Sequence, residues 1–382
     1  MTSRSWFRAD VQALRALAVV LVVLYHFGVP GIRGGFFGVD VFFVISGFVI
    51  TQVLVREFAT TNGTSLLDFY GRRIRRILPM AAMVAVASVF LTYHYLAYVT
   101  GAVNAHDALW VTLFSGNFHF AALGTNYFTA AQPPSTLQQY WSLAVEEQFY
   151  FVWPVLFLLC TRLLRRWDFK RVLTVVLSVI VVSSFIWCVV ESHSSLTWAF
   201  FSPLTRAWEL GCGALIAVTE SWFVGRSPRA GAVLGGLGVA VLLACTWFYT
   251  AATVWPGSAV AAPVLATTAI LVGGTLVGPG GFSGLVTWRP VQWVGDISYS
   301  WYLVHWPIVA VATQYSFSAL PLKSRLELLA LSLVIAAVAY YLIDRPIRRS
   351  RFLLQHRGWT YAMGGFLIVA AYGVISWHLT HY

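Results

Sequence analysis

The sequence predicts an all-α polytopic membrane protein with about ten core transmembrane helices and an eleventh, C-terminal span. Three observations carry this. The 382 residues are 59% hydrophobic and only 10% charged, whereas a soluble domain carries roughly 25% charged residues; a chain this apolar cannot cover a water-facing surface. Its apolar residues fall into stretches of about 20, the length that crosses a hydrocarbon core. Its Lys and Arg sit in short runs between those stretches, where cations fix orientation in a bilayer. The net charge of +11 is thus spread as membrane anchors are, and nucleic acid is not an expected partner.

The first stretch, about residues 11–29, carries Arg15 and His26. No small-residue cleavage site follows it at the usual distance, so it reads as a retained span rather than a signal peptide. Further spans are expected near 36–56, 77–99, 142–161, 171–190, 204–219, 230–249, 259–278, 297–315, 326–343 and 360–378. Residues 1–350 then form a ten-span domain, and 351–382 form a basic segment followed by the eleventh span. No internal repeat or low-complexity segment interrupts the series.

Charge orients the series. With the N-terminus in the cytoplasm, 20 of the 25 Lys and Arg residues lie inside, including Arg4, Arg8, Arg56, the run Arg72 to Arg76, the run Arg162 to Arg171, and Arg345 to Arg357. Only Arg33, Lys323 and Arg325 fall outside, and Arg15 and Arg206 lie within spans. The positive-inside rule accordingly places the protein in the plasma (inner) membrane with a cytoplasmic N-terminus and an extracytoplasmic C-terminus. Residues 100–140 hold an apolar patch, Ala108 to Leu123, broken by Ser115, Asn117 and His119. A full span there would put the run Arg162 to Arg171 outside. The segment is therefore expected to be an outer loop with an interfacial or re-entrant helix and a polar tip at 123–136.

Cys160, Cys188, Cys212 and Cys245 each fall in or beside an apolar stretch without metal-ligand spacing, so neither a disulfide nor a metal is expected. Chemistry is sought instead among ionisable residues inside spans, which are costly there: Arg15, His26, Asp40, Glu146, Glu147, Arg206, Glu209 and His305, with Asp296 and Asp344 at span ends.

Arg15 and His26 are eleven residues apart, three helical turns plus about 20°, so they project from nearly one face with a rise of about 16 Å. A cation at the inner mouth and a neutral base deeper in would suit a long ligand with an anionic head; the alternative is a snorkelling Arg and a hydrogen-bonded structural His. Asp40 opens the second span after a short loop. It is placed to hold the His26 tautomer, as a carboxylate orients a catalytic imidazole, or to cap the second helix. The run Arg72-Arg73-Ile74-Arg75-Arg76 reads as a seat for phosphates or as an anchor on anionic lipid. Glu146 and Glu147 are adjacent and point about 100° apart, so one at most readily faces a given cavity. His305 lies about 13 Å above Asp296 on the ninth span.

Together these motifs resemble the acyltransferase-3 family of integral membrane acyltransferases. The matches run in order: Arg15 and His26; Gly38-Val39-Asp40 through Phe48; Arg73, Arg76, Ile77 and Pro79; Trp141 through Tyr150; Ser298 through Pro307; and Asp344, Pro346 and Arg348, where the family often has Glu for the acidic residue. The resemblance implies transfer of an acyl group, often acetyl, from cytosolic acyl-coenzyme A to a hydroxyl of a surface glycan, a lipid-linked glycan or peptidoglycan, and sometimes of a macrolide. It implies His26 as the catalytic base and Glu146 as a cavity residue of the active site, where the short loop also places Asp40. Arg15 and His305 fall to the donor channel and cavity, and Arg73 and Arg76 to the coenzyme's phosphates. No metal is implied. Larger members add an outer SGNH-type domain, which is not expected within these 382 residues. The competing classes are a transporter, which should show inverted repeats or paired broken helices, and a structural membrane subunit, which would leave the in-span charges without a role.

Overall fold

A bilayer leaves backbone N–H and C=O groups no water to bond, so an apolar chain satisfies them internally as helix. The computed structural model describes residues 8–61, 63–125, 127–128, 133–163, 166–278, 281, 284–316 and 319–381. Among these residues the regular structure is helical throughout, without a strand. In chain order the helices are α1 (Ala9–His26), α2 (Gly38–Thr61), α3 (Leu66–Tyr95), α4 (Tyr98–Thr112), α5 (Gly116–Ala122), α6 (Tyr140–Leu163), α7 (Phe169–Ser194), α8 (Leu196–Phe201), α9 (Pro203–Thr219), α10 (Pro228–Phe248), α11 (Ala261–Val277), α12 (Arg289–Ser316), α13 (Leu322–Ala339), α14 (Arg345–Arg349), α15 (Arg351–Gln355) and α16 (Arg357–His381). A π-helical turn, Tyr340–Asp344, joins α13 to α14.

Each of the eleven predicted stretches overlaps a helix, with 77–99 running past the end of α3 into the start of α4. Eight segments among the described residues are long and apolar enough to cross a membrane: Ala9–His26, Gly35–Thr61, Leu66–Tyr95, Tyr140–Leu163, Phe169–Ser194, Pro228–Phe248, Leu322–Gln355 and Arg357–His381. Helix α11 is apolar but shorter, and α9, of 17 residues, carries Arg206 and Glu209. The protein is thus all-α and multi-pass. The cations Arg4 and Arg165 and part of the expected polar tip at 123–136 lie outside the described residues.

Two segments differ from the sequence reading. Helix α3 begins at Leu66 rather than near 77, because Ser65 caps it by accepting from the Asp68 amide at 3.2 Å. The arginine run therefore lies on its first turns. Within 100–140 there are two helices, α4 and α5, where one was expected. The polar interruptions find partners: Asn117 exchanges hydrogen bonds with Gln148 (2.9 and 3.3 Å), and His119 Nε2 meets Asp107 Oδ1 at 2.7 Å. Between α4 and α5 Phe114 adopts φ 52°, and its carbonyl accepts from the Gln148 amide at 3.0 Å.

Contacts group the chain into two compact units, one of Met1–Tyr25, Pro30–Thr64 and Phe149–Ser298, the other of His26–Val29, Ser65–Gln148 and Tyr299–Tyr382. In the first unit α9 packs against α2 and α7, and α10 against α11. Small residues bring these backbones together, as helix association in lipid favours. Gly47 of α2 lies against the Leu210 backbone of α9, and Gly213 of α9 lies against the Val44 backbone of α2; a Cβ at either would overlap main-chain atoms. In the second unit α3 packs on α4 and α16, and α4 on α16. Arg75 joins α3 to the end of the chain by donating to the Leu353 carbonyl (3.3 Å) and the Thr360 hydroxyl (3.2 Å).

Candidate functional site

In the second unit the last residue of α1 meets the middle of α12. His26 Nδ1 is 2.8 Å from His305 Nε2, and His26 Nε2 is 2.8 Å from the Tyr127 hydroxyl. His305 Nδ1 in turn lies 3.1 Å from the Trp301 carbonyl, one turn back on its own helix. The two imidazoles are 9° from parallel with centroids 5.1 Å apart. The direct N–N hydrogen bond accounts for that separation, so the rings lie edge to edge in line rather than face to face. Trp306 meets the His26 ring edge-on at 4.7 Å. His305 is fully buried.

The segment before α6 is tied onto α12 by bonds that use backbone carbonyls, which is why these side chains can converge. Trp306 Nε1 donates to the Ser135 carbonyl (2.9 Å) and Gln314 to that of Pro134 (3.0 Å). Gln139 donates to the Leu303 carbonyl (3.1 Å), and the Ser142 and Tyr302 hydroxyls meet at 2.7 Å. The family-like stretches Trp141 to Tyr150 and Ser298 to Pro307 are thereby bound to each other. Sequence reasoning singled out His26 and His305 separately; it missed their pairing and it missed Tyr127, an aromatic in a polar segment with no local signal to distinguish it.

Asp40, expected beside His26, pairs with a cation. In the first unit Asp40 Oδ1 accepts from Arg206 Nη1 at 2.7 Å, and the same nitrogen reaches Glu209 Oε1 at 3.0 Å. Arg206 Nε donates to the Phe200 carbonyl at 3.1 Å, and all three charged residues are buried. An in-span guanidinium attracts a carboxylate strongly, so Asp40 neutralises Arg206.

Arg15, also in the first unit, donates to Gln12 Oε1 (3.1 Å) and to the Ser298 hydroxyl (2.8 Å), while Gln12 donates to Asp296 at 2.6 Å. The arginine of the first motif is thus joined to the start of the Ser298 to Pro307 motif. At the start of α1, Arg8 lies between Asp10 (2.6 Å) and Glu220 (3.2 Å), and these carboxylates outweigh its burial and raise its pKa above the usual arginine value.

On α3, Arg73 and Arg76 are half-buried and Arg75 is buried. Glu147, the second of the adjacent carboxylates, lies within the electrostatic reach of Arg73, Arg76 and Glu146. Among the described residues, one group could hold a metal ion: His106, Asp107 and His119, with ligand atoms within 4.8 Å of one another.

The acyltransferase domain family matches residues 8–344. The chain is 30% identical to YrhL of Bacillus subtilis strain 168, over 90% of this chain and 55% of that protein. It is 29% identical to the peptidoglycan O-acetyltransferase OatA of Listeria monocytogenes, over 91% of this chain and 57% of the relative. It is 27% identical to the O-acetyltransferase OatA of Staphylococcus aureus NCTC 8325, over 90% and 57%. The chain spans a little over half the length of these relatives, and no solved structure matches it. With a family match over most of its length and the arginine, histidine and arginine-cluster motifs in family order, the chain belongs to the acyltransferase-3 family of membrane proteins.

Proposed function

We propose that the protein is a membrane O-acetyltransferase that moves an acetyl group from cytosolic acetyl-coenzyme A, or another acyl-coenzyme A, to a hydroxyl of an extracytoplasmic glycan. Peptidoglycan is the acceptor class named for the OatA relative of Listeria monocytogenes. The observation that carries the reading is the 2.8 Å approach of His26 Nε2 to the Tyr127 hydroxyl: an imidazole nitrogen already holds an O–H group at the distance a general base needs. The Tyr127 oxygen marks where an acceptor hydroxyl would sit.

In the proposed reaction His26 takes the proton of the acceptor hydroxyl. The oxygen forms a bond to the thioester carbonyl carbon, the carbon–sulfur bond breaks, and the thiolate leaves and takes the proton from the His26 imidazolium, which restores the neutral base. Arg73 and Arg76 seat the donor's phosphates by paired N–H contacts, and Glu146 and Glu147 set the local charge beside them. Arg15, braced by Gln12 and Ser298, lines the donor's path. The N-terminus is cytoplasmic and the C-terminus extracytoplasmic in this reading, from the asymmetry of the cations.

The test is thiol release from acetyl-coenzyme A by purified His26→Ala, with donor affinity measured in parallel. Removal of a general base costs roughly 10²–10⁴ in rate, with donor binding retained. Turnover near that of the unaltered protein would remove His26 from the mechanism.

A further inference from the structure

We propose that His305 is a positioning residue that sets the tautomer of His26, using a backbone carbonyl as its reference. The proposal rests on His26 acting as the base, and it assigns the base's lone pair to one nitrogen.

A carbonyl oxygen only accepts, so His305 Nδ1, 3.1 Å from the Trp301 carbonyl, carries that ring's proton. In the neutral ring Nε2 is then a bare acceptor. His26 Nδ1, 2.8 Å from it, must donate. The second nitrogen of neutral His26, Nε2, is left with its lone pair, and the Tyr127 hydroxyl donates into it at 2.8 Å. The chain Tyr127, His26, His305 and Trp301 therefore runs with one polarity, every ring neutral and each of these ring nitrogens satisfied. Reversing any link would set a lone pair against a lone pair or a proton against a proton.

Burial makes the arrangement binding. His305 is fully buried, so water does not readily replace its ring as the acceptor for His26 Nδ1–H, and a buried polar group left unpaired is costly. The lone pair of His26 then faces the hydroxyl rather than the protein. Once Nε2 has gained a proton, the Nδ1–H of the imidazolium already points at His305 Nε2. This is the part a carboxylate plays for the histidine of a serine-protease triad, here filled by a second imidazole.

The experiment uses the purified full chain with ¹⁵N-labelled histidine, in which the resonances of His26 among the nine histidines are identified by their loss in His26→Ala. The unaltered protein is expected to show His26 protonated at Nδ1 and bare at Nε2. In His305→Leu the acceptor is gone: the His26 proton redistributes toward Nε2, and kcat falls roughly 10- to 1,000-fold, bounded by the roughly 10²–10⁴ that loss of a general base costs, with little change in KM for the donor. His305→Gln presents an amide oxygen in place of Nε2 and is expected to restore both the tautomer and most of the turnover.

A spectrum of the unaltered protein with His26 protonated at Nε2 overturns the proposal without any His305 variant. So does an unchanged His26 tautomer in His305→Leu, or equal losses in the Leu and Gln variants, which would make His305 a packing residue. Failure of the base reading shows elsewhere, as turnover retained in His26→Ala, and leaves the tautomer measurement standing.

Discussion

Replacing Arg206 by Met isolates the energetics of the buried charge group that captures Asp40. The guanidinium is fully buried and bonds Asp40 at 2.7 Å, Glu209 at 3.0 Å and the Phe200 carbonyl at 3.1 Å. Methionine fills much of the same volume but leaves two neighbouring carboxylates without a cation. Removing one partner of a buried ion pair costs about 3–5 kcal/mol, and two carboxylates sharing one cation put Arg206→Met at the upper end. Asp40→Asn behaves differently. The amide oxygen still accepts from Arg206, and Arg206 and Glu209 remain as a one-to-one pair, so the cost should be near that of one weakened hydrogen bond, about 1 kcal/mol. The triple change Arg206→Met, Asp40→Leu and Glu209→Met removes the charges together and should recover most of the loss, since apolar replacement of a whole buried pair is often neutral or better. The assay is thermal unfolding in detergent, read as the fraction still monodisperse after heating. Arg206→Met melting with the unaltered protein, or a triple variant less stable than the single, would refute the reasoning.

Four further outcomes follow from the geometry. Gly47→Leu should break the α2–α9 contact, because even a Cβ there overlaps the Leu210 backbone; loss of the monodisperse species on size exclusion checks this. Arg75→Met removes donors to Leu353 and Thr360 and should expose the link between α3 and α16 to limited proteolysis, at a cost of about 1–3 kcal/mol for the acceptors left unpaired. Arg73→Gln with Arg76→Gln should weaken acetyl-coenzyme A binding at least tenfold while acceptor binding is unchanged, measured by titration of each. A reporter fused after the last residue should be active only outside the cytosol, as the cation asymmetry requires.

The helices and the family were legible in the sequence because their signals are local. Twenty apolar residues specify a crossing segment whatever surrounds them, and the helical period alone puts Arg15 and His26 on one face. The short motifs that carry the family resemblance are likewise read in place, and the match to residues 8–344 bears that resemblance out. Local reading was weakest where a helix mixes charge with apolar residues. The first turns of α3 were lost because hydropathy discounts arginines, and α4 and α5 were merged because the hydrogen bonds that satisfy Asn117 and His119 come from Gln148 and Asp107.

The tertiary structure alone decided who pairs with whom. Asp40 lies two residues past the loop that follows the first span, and proximity in sequence suggested His26; its partner is Arg206, 166 positions away. His26 finds His305, 279 positions away, and Tyr127, 101 positions away. A buried charge seeks the strongest opposite charge within reach, and a buried imidazole takes whatever donors and acceptors the packing presents. Composition and spacing say which groups need partners inside the membrane; only the packed helices determine which partners are there.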